Sequence, residues 1–157
     1  TYIPALILVA ATALSSPSWA DDRLPPTMPI QENPDLIDVA QSDHIWNGVT
    51  VTPDGRIFVS LTQTEGPGLQ LAEVKGNELQ PVPDKSWNTW SKDSDPSEHF
   101  LHVNAIRIGP DGNLWAVDAG NTGIGTVAVS VPGAAMLVQI AIKIRKLLIA
   151  YNFPSDV

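Results

Sequence analysis

Two stretches of the chain share one pattern of apolar and polar positions. In each stretch an asparagine precedes alternating apolar residues, a Pro-Asp-Gly follows, and a second apolar run ends the pattern; the copies lie at 45–63 and 102–120. Alternation with a period of two is typical of a β-strand with one buried face. Pro-Asp-Gly favours a tight turn, because proline fixes φ and glycine tolerates positive φ. Each copy therefore predicts a β-hairpin.

The two hairpins belong to a longer repeat. Asn47 and Asn104 are 57 positions apart, and Pro53 and Pro110 keep the same spacing. Two further strands are predicted after each hairpin, at 69–73 and 79–82 in the first unit and at 135–144 and 146–154 in the second. A repeat of four short strands is typical of a β-propeller blade. The predicted fold class is therefore all-β, and the predicted fold is a β-propeller.

The number of repeat units predicts an incomplete propeller over 36–157. We expect blade units at about 36–83 and 100–157, with a first strand at Leu36–Ala40. Propellers contain about four to eight blades, so two units cannot close a ring. Because a blade buries its faces against its neighbours, we expect this chain to expose apolar sheet faces, to be unstable or prone to aggregation, and to be inactive alone.

The second unit is atypical after residue 134. Residues 134–150 contain no glycine or proline. They also lack the Asn or Asp that a hairpin turn normally uses. We expect a divergent pair of strands here. The alternative is a basic amphipathic helix, in which Ile140, Ile144, Leu147 and Leu148 would share one face.

The first 35 residues predict export. An apolar run at Ile3–Leu14 is followed by Ser18 and Ala20, small residues at −3 and −1 of a cleavage site. This pattern is typical of a signal peptide over 1–20, truncated at its start, and the run is short for a membrane span of about 20 residues. Residues 21–35 form a Pro-rich leader. We therefore expect a secreted or periplasmic protein with no membrane anchor after cleavage.

Charge and composition exclude some functions. The formal net charge is −8, which argues against a nucleic-acid partner, because phosphate binding needs clustered Lys and Arg. The chain has no cysteine, so it has neither disulfides nor thiolate metal ligands.

Several stretches resemble one known family. They are "WNGVTVTPDGRIFVSL", "SWNTW", "FLHVNAIRIGPDGNLWAVDAGNTG" and "YNFPSDV". In these the chain resembles the bacterial branch of the Yellow and major royal jelly protein family, and it is more distantly similar to the senescence-marker and gluconolactonase propellers. The family resemblance implies a secreted six-bladed propeller, ligands of the amine or catechol type, and dopachrome-converting activity in some members.

Asn47, Asn104 and Asp118 are the predicted ligand-binding residues. Both asparagines precede an inner strand at the same register, which predicts that they face a central channel, and Asp118 ends a strand before a Gly-rich loop. The alternative for all three is a bond to local backbone. Resemblance to the lactonases implies substrate and metal contact at Asn104, but a metal-binding Glu at the position of Asn47. Since Ca²⁺ favours charged oxygen ligands, we predict no metal ligands and leave the cofactor and the catalytic residues unassigned.

The histidines and tryptophans have structural alternatives as well. His44, His99 and His102 are expected in loops or at the surface, with acid–base work near a channel as the alternative. The tryptophans at 46, 87, 90 and 115 are expected to pack in blade interfaces, with an aromatic ligand pocket at the first three as the alternative.

Three functions are open, and the chemistry of the first two is what the family resemblances imply. The first is an exported propeller that binds a small, aromatic molecule in its channel, with dopachrome-converting activity as its extension. The second is a metal-dependent lactone hydrolase, for which Ca²⁺ would be the cofactor. The third is a non-catalytic interaction propeller.

Overall fold

The computed structural model describes residues 34–62, 68–122 and 128–154. The predicted signal peptide and all but the end of the Pro-rich leader lie outside these residues. The described part is all-β, as predicted, apart from a short 3₁₀ helix at Pro96–Glu98. Its strands are β1 Trp46–Val51, β2 Ile57–Leu61, β3 Leu71–Lys75, β4 Glu78–Pro81, β5 Val103–Ile108, β6 Leu114–Asp118, β7 Asn121–Thr122, β8 Val129–Ser130, β9 Met136–Ala141 and β10 Lys146–Asn152.

The first sheet is an antiparallel meander in the order β1-β2-β3-β4. Its first turn is the predicted Pro-Asp-Gly, where Gly55 has a φ of 85° and its amide donates to the carbonyl of Thr52 at 2.9 Å. Its last turn uses Gly76 with a φ of 60°. The four strands predicted in the first repeat unit are therefore confirmed.

The second sheet follows the same path, in the order β10-β9-β6-β5. Gly112 in the second Pro-Asp-Gly has a φ of 73°. The third and fourth strands of this unit are β9 and β10, close to the predicted ranges. Between β6 and β9 the short strands β7 and β8 pair as a separate two-stranded sheet, which the sequence pattern did not predict.

The predicted first strand at Leu36–Ala40 is wrong. These residues are not in a strand, and Leu36, Ile37 and Val39 are exposed. Alternation of apolar residues produces a strand only where another backbone completes the hydrogen bonds. The compact unit that contains both sheets begins at Asp38.

The helical alternative for 134–150 is also wrong, because this segment forms the β9–β10 hairpin. Its turn lacks glycine and places Arg145 at a φ of 51°. The Arg145 guanidinium donates to Glu73 Oε2 at 3.0 Å and to the carbonyl of Pro81. Contacts with the first sheet therefore stabilise a turn conformation that the local sequence disfavours.

The main core lies between the two sheets. Phe58 and Leu71 of the first sheet are fully buried with residues of the second sheet that include Leu114, Val138 and Ile140. A smaller cluster of Val59, Leu61 and Ala72 lies on the opposite face of the first sheet. The edge strands β1 and β5 of the two sheets also contact one another, and this contact sets the position of the candidate site.

Candidate functional site

Asn47 and Asn104 lie side by side where β1 and β5 begin. Asn47 Nδ2 donates to the backbone carbonyl of Asn104 at 3.0 Å and lies 3.3 Å from Asn104 Oδ1. Both residues are exposed. The repeat therefore brings two residues that are 57 positions apart into direct contact, as equivalent members of adjacent strands.

A β-bulge directs each asparagine out of its ladder. The register of β1 and β2 shifts between Trp46 and Gly48, and the register of β5 and β6 shifts between Val103 and Ala105. A bulge adds one residue to a strand and re-aims its side chain. Because the same bulge occurs at both copies of the repeat, both asparagines leave their sheets in an equivalent direction.

The Asn pair retains unused hydrogen-bonding groups. Among the described residues, neither Asn47 Oδ1 nor Asn104 Nδ2 has a hydrogen-bond partner. One group accepts hydrogen bonds and the other can donate two. The pair therefore offers one acceptor and one donor group to a polar ligand.

The strand beneath the pair is tightly packed. Gly48 faces Ser60 across the ladder, and a Cβ at this glycine would lie 2.9 Å from Ser60 Oγ. Ser60 is fully buried, and its hydroxyl has no partner among the described residues. The residue that follows Asn47 is therefore in close contact with β2, and close packing is one condition for positioning polar groups toward a ligand.

The predicted ligand residue Asp118 lies in a different setting. Its buried carboxylate accepts from the amides of Leu101 at 2.8 Å, His102 at 3.0 Å and Gly120 at 2.8 Å. Burial raises the pKa of Asp118, and the three backbone hydrogen bonds act in the opposite direction. This geometry matches the structural alternative: Asp118 holds the segment that leads into β5, and so supports the position of Asn104.

The histidines do not converge on the Asn pair. His102 Nδ1 lies 2.7 Å from Asn121 Oδ1, and His99 Nδ1 lies 2.9 Å from the carbonyl of Asp95. His44 lines an open groove of about 400 Å³ next to Leu69 and Leu79. Within 34–62, 68–122 and 128–154, no group of three or more His, Cys, Asp or Glu side chains could hold a metal ion.

The tryptophans of the "SWNTW" stretch flank a structural asparagine that the sequence analysis did not single out. Asn88 Oδ1 accepts from the amides of Gln70 and Leu71, each at 2.9 Å, and its Nδ2 donates to the carbonyls of Val82 and Asp84. Trp87 packs on Phe100, with ring centroids 5.2 Å apart. Asn88 therefore links the polar connection between the two sheets to the beginning of β3.

A second cluster missed at the sequence level surrounds Glu73. Its carboxylate contacts Arg56 at 2.7 Å, Lys75 at 2.6 Å and Arg145 at 3.0 Å. Hydrogen bonding by Arg56 lowers the pKa of Glu73 to about 2, against the effect of burial. The sequence signal was Glu73 at a position of the strand where an apolar residue is expected. Such a glutamate predicts a buried ion pair only when its cationic partner can also be identified from the sequence.

The comparisons with family models and with the curated proteins found no relative of the chain. No protein-family model matches the chain, and a search of the curated proteins found no match. No helix in the part of the chain that the structure describes is long and apolar enough to cross a membrane.

Proposed function

We propose that the two sheets are two blades of a β-propeller of the Yellow and major royal jelly type, and that the protein is exported and binds a small aromatic molecule at the Asn47–Asn104 pair. The observation that carries this proposal is the contact of the two asparagines at equivalent positions of adjacent inner strands. In a propeller, such positions repeat around a central channel.

The sheet architecture supports the propeller part of the proposal. Each sheet is a four-stranded antiparallel meander, and each contributes its first strand to the contact between the sheets. The faces of the two sheets pack on each other through a shared core. These are the properties of neighbouring blades, whose small sheets are stable only when stacked.

The chemistry of the pair supports a catechol or catechol-amine ligand. Asn47 Oδ1 can accept from one ring hydroxyl, while Asn104 Nδ2 can donate to the other. The formal net charge of −8 favours the approach of a cationic amine over that of an anionic substrate. Dopachrome conversion is the extension of this function that the family resemblance implies.

Titration with dopamine, a catechol with a primary amine, tests the proposal. We expect saturable chemical-shift changes in the NMR signals of the Asn47 and Asn104 side-chain amides. Asn104→Ala should weaken binding by about two- to tenfold, since the one hydrogen bond that it removes from this exposed site is worth about 0.5–1.5 kcal/mol.

Asn77→Ala is the matched control, because Asn77 is exposed in the β3–β4 turn, at the opposite end of the first sheet. Shift changes confined to other residues, or equal affinity of the Asn104→Ala protein and the parent, would contradict the proposal. The lactonase alternative gains no support from the geometry, since no carboxylate of the described residues is a hydrogen-bond partner of the Asn pair.

A further inference from the structure

One asparagine of the sequence is followed directly by glycine, in the dipeptide Asn47–Gly48. The backbone nitrogen after an asparagine can attack the side-chain amide carbon, because both groups belong to one chain and the attack closes a five-membered ring. A side chain on the following residue hinders this ring, and glycine has none. Asn47 is therefore the asparagine of this sequence whose neighbour favours the reaction most.

The fold leaves this dipeptide accessible and keeps its glycine in place. Asn47 is exposed, and as the extra residue of the β1 bulge it has no partner in the register of β1 and β2. The extra residue of a bulge is left unpaired where the ladder is disrupted. Gly48 cannot gain a side chain without movement of β2, because a Cβ there would lie 2.9 Å from Ser60 Oγ. The packing of β1 on β2 therefore requires the glycine that makes Asn47 reactive.

The second repeat unit offers the same setting without the glycine. Asn104 is the extra residue of the β5 bulge between Val103 and Ala105, and it is exposed like Asn47. Its following residue, Ala105, carries a methyl group that hinders ring closure. The two asparagines therefore share their position in a bulge and their access to solvent, and they differ in the residue that follows.

We propose that Asn47 is a site of spontaneous deamidation, which acts as a slow chemical switch on the contact between β1 and β5. The Gly48 backbone nitrogen gives its proton to a base of the solvent and attacks Asn47 Cγ. The new N–Cγ bond closes a succinimide ring, while the Cγ–Nδ2 bond breaks and Nδ2 leaves as ammonia with a proton from water. Water then opens the ring at either carbonyl and leaves aspartate or isoaspartate at position 47. No electrons are transferred to or from another molecule, and water is the co-reactant.

The product loses the hydrogen bond that joins the Asn pair. Asn47 Nδ2 donates to the backbone carbonyl of Asn104 at 3.0 Å, and a carboxylate oxygen in its place would be an acceptor that faces an acceptor. The side-chain amide of Asn104 can rotate to donate to the carboxylate, but its backbone carbonyl cannot. Isoaspartate also adds a methylene to the main chain next to Gly48, which packs closely on Ser60. Deamidation should therefore weaken the contact between the two sheets.

Incubation of the full 157-residue chain in water enriched in oxygen-18 tests the chemistry, with circular dichroism to verify that the chain stays folded. Peptide mapping by mass spectrometry should show heavy oxygen at position 47, incorporated at least about tenfold faster than at Asn104, because glycine removes hindrance from the transition state. Ala105→Gly should make Asn104 react as Asn47 does, and Asn47→Gln should abolish the reaction at position 47. Equal rates at Asn47 and Asn104, or reaction at Asn47 in urea but not in the folded chain, would overturn the proposal.

Urea unfolding tests the consequence for the fold. Asn47→Asp supplies the carboxylate without the ring chemistry and should raise the unfolding equilibrium constant by about two- to tenfold, since one hydrogen bond at an exposed site is lost. Asn77→Asp is the matched control, because it adds the same charge in the exposed β3–β4 turn. An Asn47→Asp protein that is as stable as the Asn77→Asp protein would refute the switch. Neither measurement uses a ligand, so this inference goes beyond the proposed ligand binding and its outcome is independent of it.

Discussion

Substitution of Glu73 by glutamine should destabilise the protein at neutral pH and have much less effect in acid. The Glu73 side chain is 1% exposed and lies within 3.0 Å of Arg56, Lys75 and Arg145. Arg56 and Lys75 belong to the first sheet, whereas Arg145 belongs to the β9–β10 turn of the second. The carboxylate therefore joins the two sheets, and its loss leaves Arg145 in a disfavoured backbone conformation without its main partner.

The magnitude follows from the pKa of Glu73, which hydrogen bonding by Arg56 lowers from 4.5 to about 2. One pKa unit corresponds to about 1.4 kcal/mol, so the ionised carboxylate contributes about 3 kcal/mol to the free energy of unfolding at pH 7. Because the pKa is depressed in the folded state, this contribution is complete above the unfolded pKa near 4.5 and is lost as the pH falls toward about 2.

Urea unfolding of the parent and the Glu73→Gln protein over a series of pH values measures this effect. The difference in unfolding free energy should be about 3 kcal/mol at pH 7 and should shrink steadily below about pH 4.5. Glu78→Gln is the matched control, because Glu78 is an exposed glutamate on β4. A difference that is the same at neutral pH and at about pH 3 would refute the ionic account of Glu73.

Three further substitutions test other parts of the fold. Asp118→Ala leaves three backbone amides without their acceptor and should cost about 2–4 kcal/mol in urea unfolding; a cost below about 1 kcal/mol would show that water replaces the carboxylate. Gly120→Ala places a Cβ against the backbone of the residues that lead into β9, at a φ of 64°, so its melting temperature should fall far more than that of Gly55→Ala, which meets open space at positive φ. Arg145→Gly removes the backbone strain of the positive φ, which is worth about 1 kcal/mol, but it also removes the ion pair with Glu73. We therefore expect chemical denaturation at pH 7 to show a net loss of stability. A more stable protein would contradict the role given to Arg145.

The strands that could be predicted are those whose turns are specified locally. Both Pro-Asp-Gly turns contain their own positive-φ glycine, so the hairpins follow from a few adjacent residues. The β9–β10 turn does not, because Arg145 depends on Glu73, which lies 72 positions earlier. Leu36–Ala40 shows the opposite failure, since the alternating pattern there pairs with no strand in the part of the chain that the structure describes.

The candidate site was predictable only as far as the repeat reached. Equal register placed Asn47 and Asn104 at equivalent positions, and their contact follows once the two units pack as neighbours. The setting of Asp118 could not be derived in this way, because a carboxylate after a strand can bond either a ligand or its own backbone. Asn88 and Glu73 were missed because each gains its role from partners in other strands and turns.

A cysteine cross-link tests the central structural claim, which is that the repeat places Asn47 and Asn104 side by side. The natural chain has no cysteine, so Asn47→Cys with Asn104→Cys introduces one unambiguous pair, and Asn77→Cys with Asn104→Cys is its control. A short thiol-specific cross-linker should join the first pair in high yield, as detected by mass spectrometry of a digest, and should leave the second pair unlinked. Failure to link positions 47 and 104 in the folded protein, or equal linking of both pairs, would contradict the stacked repeat on which the proposed ligand site depends.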